Sequence, residues 1–216
     1  VLLTQHHGKV RTIAYRVRSA KNANAARLEP MNIVDVLLKE GRELDTIQDV
    51  RLVEGFRAIR GDLGPFGQAL AMIEAVDRLT PEKSNVEDIY VMLSKALLEL
   101  NERPSPLVAG AFFWKLLAYE GQSPEIDHCV RCGTTANLVS FSVLEGGVHC
   151  DDCRSGIGLS PAALALLRQI LRGQLASALS EPESPAVLEV HQLARDAMEA
   201  HLERSLRSFG VFDRRL

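Results

Sequence analysis

The residues of this chain best suited to chemistry are its four cysteines. Cys129 and Cys132 form one C-x-x-C pair, and Cys150 and Cys153 form a second, giving C-x2-C-x17-C-x2-C. Two intervening residues let a tight turn aim both sulfurs at one point, and a second pair on a facing turn completes a tetrahedron, so the spacing is that of a four-cysteine zinc site. Two disulfides would use the same residues, but such frameworks belong to small secreted chains. A redox pair would open a helix after a buried strand, which neither C-x-x-C does. Four thiolates leave a bound Zn²⁺ no open position, so the metal is expected to be structural rather than catalytic. His201-Leu202-Glu203 supplies the H-x-E of zinc deaminases, but it follows the cysteines, and neither C-x-x-C follows a proline. No H-E-x-x-H, Walker A loop, Rossmann fingerprint or G-x-S-x-G elbow occurs. His128 and His149 each precede a cysteine and are expected at the rim of the site, as solvated groups or partners of the ligands. His201 is read as a core or edge residue of the last helix.

These cysteines need a scaffold, and the sequence between them fits a hairpin. Leu138, Val139 and Phe141 lead into a Glu145-Gly146-Gly147 turn, and Val148 returns to Cys150. The metal-bearing insertion spans 126–157. On both sides of it the apolar period is helical: Phe66, Ala69, Leu70, Ile73 and Val76; then Val86, Ile89, Tyr90, Leu93, Leu97 and Leu100; then Leu107, Ala111, Trp114, Leu117 and Ala118. Ser160-Pro161 reads as an N-cap followed by proline at the first helical position, with Leu164, Leu167, Ile170 and Leu171 on one face. Residues 181–185 read as a linker, and Val187, Val190, Ala194, Ala197, Met198, His201 and Ser205 mark a last helix.

Residues 1–54 read as β. Val10, Thr12, Ile13, Tyr15 and Val17 are expected in one strand, 19–26 in a polar loop, and Ile33 to Leu38 in a second strand. Glu40-Gly41-Arg42 is a hairpin turn, and 44–53 continues the pairing. The fold class is therefore α+β, with a small β domain at 1–54 and a helical domain at 55–216.

Net charge is −3, but its distribution is uneven. Residues 1–27 carry Lys9, Arg11, Arg16, Arg18, Lys21 and Arg27 and no acidic residue, while the remainder carries 19 basic and 28 acidic residues. A basic segment on an acidic body is the footprint of a domain that meets a polyanion, and the six cations are candidate DNA contacts. A solvated basic face is the other reading of so short a window. Tyr15 is the only aromatic residue before Phe56, so binding is expected to run through phosphate rather than base stacking. No apolar run approaches a membrane span. No signal peptide is visible, and zinc-type cysteines imply a reducing, cytoplasmic setting.

The order of these features resembles the RecO family of bacterial recombination mediators. The resemblance rests on His7-Gly8-Lys9-Val10, the basic loop, Leu28-Glu29-Pro30, the turn at Gly41, the helical stripes and the paired cysteines, and it spans essentially the whole chain. It implies an N-terminal OB-fold barrel of five strands and a helical domain with an inserted zinc finger. It implies a non-enzymatic activity: binding single- and double-stranded DNA, annealing complementary strands, and helping to load RecA onto coated single strands in the RecF pathway. RecR, RecF and the single-stranded-DNA-binding protein are the implied partners, in a bacterial, nucleoid-associated setting. Family members carry a further strand ahead of the stretch matching Val1–Thr4, so the first barrel strand is expected to be missing here. The family's Lys-Gly-x-Arg loop is replaced by Tyr15-Arg16-Val17-Arg18, in which Arg18 keeps its place and Arg16 stands for the glycine.

The coat protein's acidic, apolar C-terminal tail needs an apolar groove rimmed by cations. Lys115, on the helix bearing Phe112, Phe113 and Trp114, and Arg131, inside the first C-x-x-C, are the candidates, with Arg204 and Arg207 as rivals that could instead serve the helix dipole. Two further readings stay open at this level: a zinc-ribbon adaptor that binds protein or RNA, and an enzyme with scattered catalytic residues and a structural zinc.

Overall fold

The computed structural model describes residues 1–15, 24–82, 84 and 86–206. The described chain forms two compact units, one of Val1–Arg103 and one running from Pro104 through residue 206. Among the described residues no helix is long and apolar enough to cross a membrane.

The first unit opens with β1 (Leu2–Thr4) and β2 (Gly8–Val10), an antiparallel hairpin pairing Leu2 with Val10 and Thr4 with Gly8. β3 (Thr12–Ile13) then runs parallel to a later strand. The single expected strand from Val10 to Val17 is thus divided at Arg11, because its two halves pair with different neighbours; Val17 lies outside the described residues. After α1 (Asn24–Arg27), part of the stretch expected as loop, come β4 (Ile33–Lys39) and β5 (Asp45–Glu54). These two pair antiparallel, with register shifts at Ile33/Val34 and Leu37/Leu38, in a sheet of order β3-β5-β4. The OB-fold barrel that the resemblance implies is not closed among the described residues: β1-β2 and β3-β5-β4 are separate sheets. The expected first strand was placed ahead of Val1–Thr4, and here that stretch is itself β1.

Three helices complete this unit: α2 (Arg57–Gly61), α3 (Leu63–Leu79) and α4 (Glu87–Glu102). The stripe read on α4 becomes its buried face, with Ile89, Leu93, Leu97 and Leu100 enclosed; on α3 only Ala69 and Val76 of the expected stripe are buried, Phe66, Leu70 and Ile73 are half-buried, and the face is completed by Ala71, Met72 and Ala75. The Asp62 side chain caps α3 by accepting from the Gly64 N–H at 2.9 Å. The first turn of α2 is satisfied from α4, where the Asn101 Oδ1 accepts from the Ala58 and Ile59 N–H groups.

The second unit is built around α5 (Pro106–Tyr119), which is buried on nearly every side. A helix apolar all round must be enclosed, and Trp114, Phe113, Leu107 and Leu116 are each at most 1 % exposed. Each such side chain contributes about 1.5–3 kcal/mol. The cysteine-bearing insertion follows as β6 (Leu138–Ser142), β7 (Gly147–Cys150) and the short β8 (Ile157–Gly158), in the order β7-β6-β8. Then come α6 (Pro161–Leu171), α7 (Leu175–Leu179) and α8 (Pro185–His201). α5, α6 and α8 each begin with Ser-Pro, and in each the serine oxygen accepts a backbone N–H of the first turn. Pro185, expected in a linker, is therefore the first residue of α8. α5 packs closely against α8: a Cβ at Gly110 would lie 3.1 Å from the His191 Cα, so the small residue sets the approach of the two helices. The insertion is tied to the helical core where the Trp114 ring meets Phe141 edge-on, with centroids 5.8 Å apart.

Candidate metal centre and nucleic-acid interface

The four cysteines converge. Their sulfurs all lie within 4.8 Å of one another, and Cys132 Sγ is 3.6 Å from Cys150 Sγ. Zinc–sulfur bonds of about 2.3 Å in a tetrahedron place sulfurs ~3.8 Å apart, so the donor set and its spacing fit Zn²⁺. Cys129 and Cys150 are buried and Cys132 is exposed. All four thiols are free, so neither disulfide pairing is present.

Backbone bonds hold this geometry. The first turn closes through Cys129 N–H to the Thr134 carbonyl and Gly133 N–H to the Cys129 carbonyl, both 2.8 Å. It is strapped to β7 by Glu125 N–H to Gly146 (2.9 Å), Val148 N–H to Glu125 (2.9 Å) and Val130 N–H to Val148 (3.0 Å). The second turn closes through Cys153 N–H to the Cys150 carbonyl at 3.2 Å. Burial works against ionising Cys129, but N–H groups of Cys150, Cys132 and Arg131 directed at its sulfur prevail and bring its pKa down to about 6. Cys153 is pushed up to about 12, first by the adjoining Cys132 and Cys150 sulfurs and then by burial. One thiolate is thus favoured, while Cys132 and Cys153 resist joining it without a cation to offset the added charge.

The sequence reading missed the carboxylate beside this cluster. Glu145 was read only as a turn residue, yet its side chain accepts from Arg131 Nε (2.9 Å) and Nη2 (2.7 Å), meets His149 Nε2 at 3.1 Å and accepts from Ser155 Oγ at 3.3 Å. Arg131 and then His149 hold its carboxyl down at about 2. His149 is fully buried, so of its two expected roles it takes that of a partner behind the ligands, not a solvated group. His128 is exposed and lies 3.5 Å from Glu125.

The basic candidates of the first segment are dispersed. Lys9 Nζ donates to the Asp77 carbonyl at 2.6 Å and pairs with its carboxylate at 3.3 Å, near the C-terminal end of α3, where a cation suits the helix dipole. Arg11 is exposed and pairs with Glu82 at 3.2 Å. Arg27 donates to the Val50 carbonyl (2.9 Å) and to Asn24 Oδ1 (3.2 Å), pinning α1 to β5. Arg16, Arg18 and Lys21 lie outside the described residues. Of the three described cations, only Arg11 projects an exposed guanidinium.

Comparison with known proteins covers both units. The family model described as Recombination protein O N terminal matches residues 1–56, and that described as Recombination protein O C terminal matches 60–209. The chain is 36% identical to the DNA repair protein RecO of Frankia casuarinae, covering 99% of this chain and 90% of that one. The DNA repair protein RecO of Bifidobacterium longum subsp. infantis is 34% identical, with 98% and 90% covered, and that of Cutibacterium acnes 31% identical, with 99% and 90% covered. The chain belongs to the RecO family of DNA repair proteins.

The RecO-like Leu28-Glu29-Pro30 stretch has a physical reading here. Arg60, on α2, donates to the Pro30 carbonyl (2.8 Å), the Asn32 Oδ1 (2.8 Å) and the Gly55 carbonyl (3.0 Å) and pairs with Glu29 at 3.2 Å. One guanidinium thereby locks the loop before β4 to the start of the helices. Among the partner-binding candidates, Phe112, Phe113 and Trp114 are core residues rather than groove walls. Arg131 is held by Glu145. Lys115 is half-buried on α5 with no ion pair among the described residues. Arg204 is exposed just after α8, and Arg207 lies outside the described residues.

Proposed function

We propose that this chain is a DNA-binding recombination mediator that binds single and double strands, anneals complementary strands and helps load RecA onto coated single-stranded DNA. The observation that carries this reading is the match to RecO proteins along nearly the whole chain, through both compact units. The segment 9–27, with Arg11, Arg16, Arg18 and Lys21 foremost, engages phosphate. Lys9 and Arg27 set the shape of that segment through their intramolecular bonds. Binding is then indifferent to sequence and steeply dependent on salt. Four cysteines hold a structural zinc in the 126–157 insertion, and with no open position the metal takes no part in turnover. The protein acts without an active site, in the cytoplasm, with RecR, RecF and the single-stranded-DNA-binding protein as partners. For the acidic tail of that coat protein, Lys115 and its rival Arg204 are the described cations left to offer, since Arg131 is already paired.

Fluorescence anisotropy of labelled single- and double-stranded oligonucleotides across a salt series tests this function. The expected result is binding of both forms with a linear fall of log affinity against log salt, and annealing of complementary strands without ATP. Hydrolysis of either oligonucleotide, or no binding at ~50 mM salt, where screening is weak, would refute it. A labelled acidic tail peptide titrated against the full chain and its Lys115→Glu variant tests the partner assignment, and equal affinity removes Lys115 from it.

A further inference from the structure

One carboxylate contacts a residue of the first cysteine turn and residues on either side of the second. Glu145 takes Arg131, which sits between Cys129 and Cys132, in a bidentate pair at 2.9 and 2.7 Å. It takes His149, next to Cys150, at 3.1 Å, and Ser155, two residues beyond Cys153, at 3.3 Å. Its own backbone N–H is anchored to Ser142 Oγ at 3.2 Å, and the Ser155 N–H is anchored to Ser140 Oγ at 3.3 Å, so the carboxylate is approached from a fixed hairpin. The neighbouring Leu144 is 96% exposed, which shows that the turn itself is open to water and that Glu145 folds back from it.

We propose that Glu145 is the positioning residue of the metal centre: it clasps the two cysteine turns together through Arg131, His149 and Ser155, and so sets the affinity and lifetime of the bound ion. This inference rests on the metal reading above. The backbone straps fix the first turn on β7, but none of them orients Arg131, and none joins the segment after Cys153 to the first turn. Glu145 does both. By holding the guanidinium in a bidentate fork, it fixes where the Arg131 side chain sits relative to the thiolates. His149 is fully buried and Nε2-bonded to the same carboxylate, which fixes the ring that adjoins Cys150. Outer partners of this kind are typically worth about 10- to 100-fold in metal affinity.

The test is zinc affinity of this chain by competition with a chromophoric chelator, for wild type, Glu145→Ala, Arg131→Ala, the double variant, and Leu144→Ala as a control in the same turn. Glu145→Ala and Arg131→Ala should each weaken zinc binding by about 10- to 100-fold, and the double variant should fall well short of their product, because the two residues act as one unit. Leu144→Ala should match wild type. Cobalt-loaded Glu145→Ala should keep tetrahedral thiolate bands with altered intensity and lose the ion faster to chelator, a signature that general loss of packing does not produce. If Glu145→Ala fails to fold, Glu145→Gln, which keeps the size and loses the charge, carries the same comparison. Zinc affinity of the Glu145 variant within about threefold of wild type, against the 10-fold minimum expected, overturns the proposal and leaves the metal reading intact. Wild-type protein that takes up no zinc overturns both.

Discussion

Replacing Arg60 with methionine keeps the aliphatic stem and removes the guanidinium, and its effect can be worked from four contacts. The side chain donates to the Gly55 and Pro30 carbonyls and to Asn32 Oδ1 at 3.0, 2.8 and 2.8 Å. Hydrogen bonds to a charged group contribute about 1.5–3 kcal/mol each when sheltered. The Arg60 side chain is 27% exposed, so about 1 kcal/mol each is the better value. The Glu29 carboxylate is 55% exposed, and its pair adds roughly 0–1 kcal/mol. The expected loss is therefore about 3 kcal/mol, which in a chain of this length lowers the melting temperature by roughly 6–12 °C. Urea and thermal denaturation of the full chain, followed by circular dichroism, measure it. Arg57→Met is the control, since that arginine is exposed on the same helix. A loss below about 1 kcal/mol for Arg60→Met, or an equal loss for Arg57→Met, would refute the idea that this guanidinium joins the Leu28–Pro30 loop to the helices.

Cys150→Ser should abolish stoichiometric zinc uptake and lower thermal stability, because a buried ligand of the cluster is lost and metal binding is coupled to folding; a variant that stays zinc-loaded by elemental analysis contradicts the assignment of all four cysteines as ligands. Removing charge at Arg11, Arg16, Arg18 and Lys21 together should weaken DNA binding alike for all sequences and flatten the salt slope by about one unit per lost phosphate contact; unchanged affinity at ~50 mM salt contradicts the role given to this segment. Gly156→Ala should destabilise the insertion by well over the ~1 kcal/mol typical of point mutants, since the residue has φ +77° and a Cβ would lie 2.2 Å from the Phe141 carbonyl oxygen. Gly158→Ala meets nothing within 4 Å and should leave the melting temperature and zinc content unchanged.

How far the sequence could be read depended on whether a feature is local. The cysteine pairs were legible because a metal knuckle is a property of a few consecutive residues, and the hairpin between them follows from β-formers flanking a Gly-Gly turn. The helices were legible because apolar spacing at Ile89, Leu93, Leu97 and Leu100 reports a buried stripe directly, and Ser160-Pro161 reports a cap; the same Ser-Pro start at Ser105 and Ser184 went unread, the second inside a stretch taken for a linker. Strand partners were harder. Residues 10–13 have the composition of one strand, but composition carries no record of pairing, and Val10 pairs with Leu2 while Thr12 pairs with Asp45.

Charge was legible as a count and not as a function. Lys9 and Arg27 stand in a window of six cations and no acid, and no count shows that Lys9 bonds Asp77 and Arg27 the Val50 carbonyl, 68 and 23 residues away. Arg131 looked like a free cation until Glu145 folded back onto it, and Phe112, Phe113 and Trp114 looked like a groove until packing enclosed α5. By itself the sequence determined the four-cysteine cluster, the α4 stripe, the Ser160-Pro161 cap and the family, because each depends on residue types at short, fixed spacings. Only the tertiary structure decided which charges remain exposed and which carboxylate bonds the residues beside the cysteines. Those outcomes depend on groups distant in sequence meeting across a few ångströms, where a charged hydrogen bond displaces water.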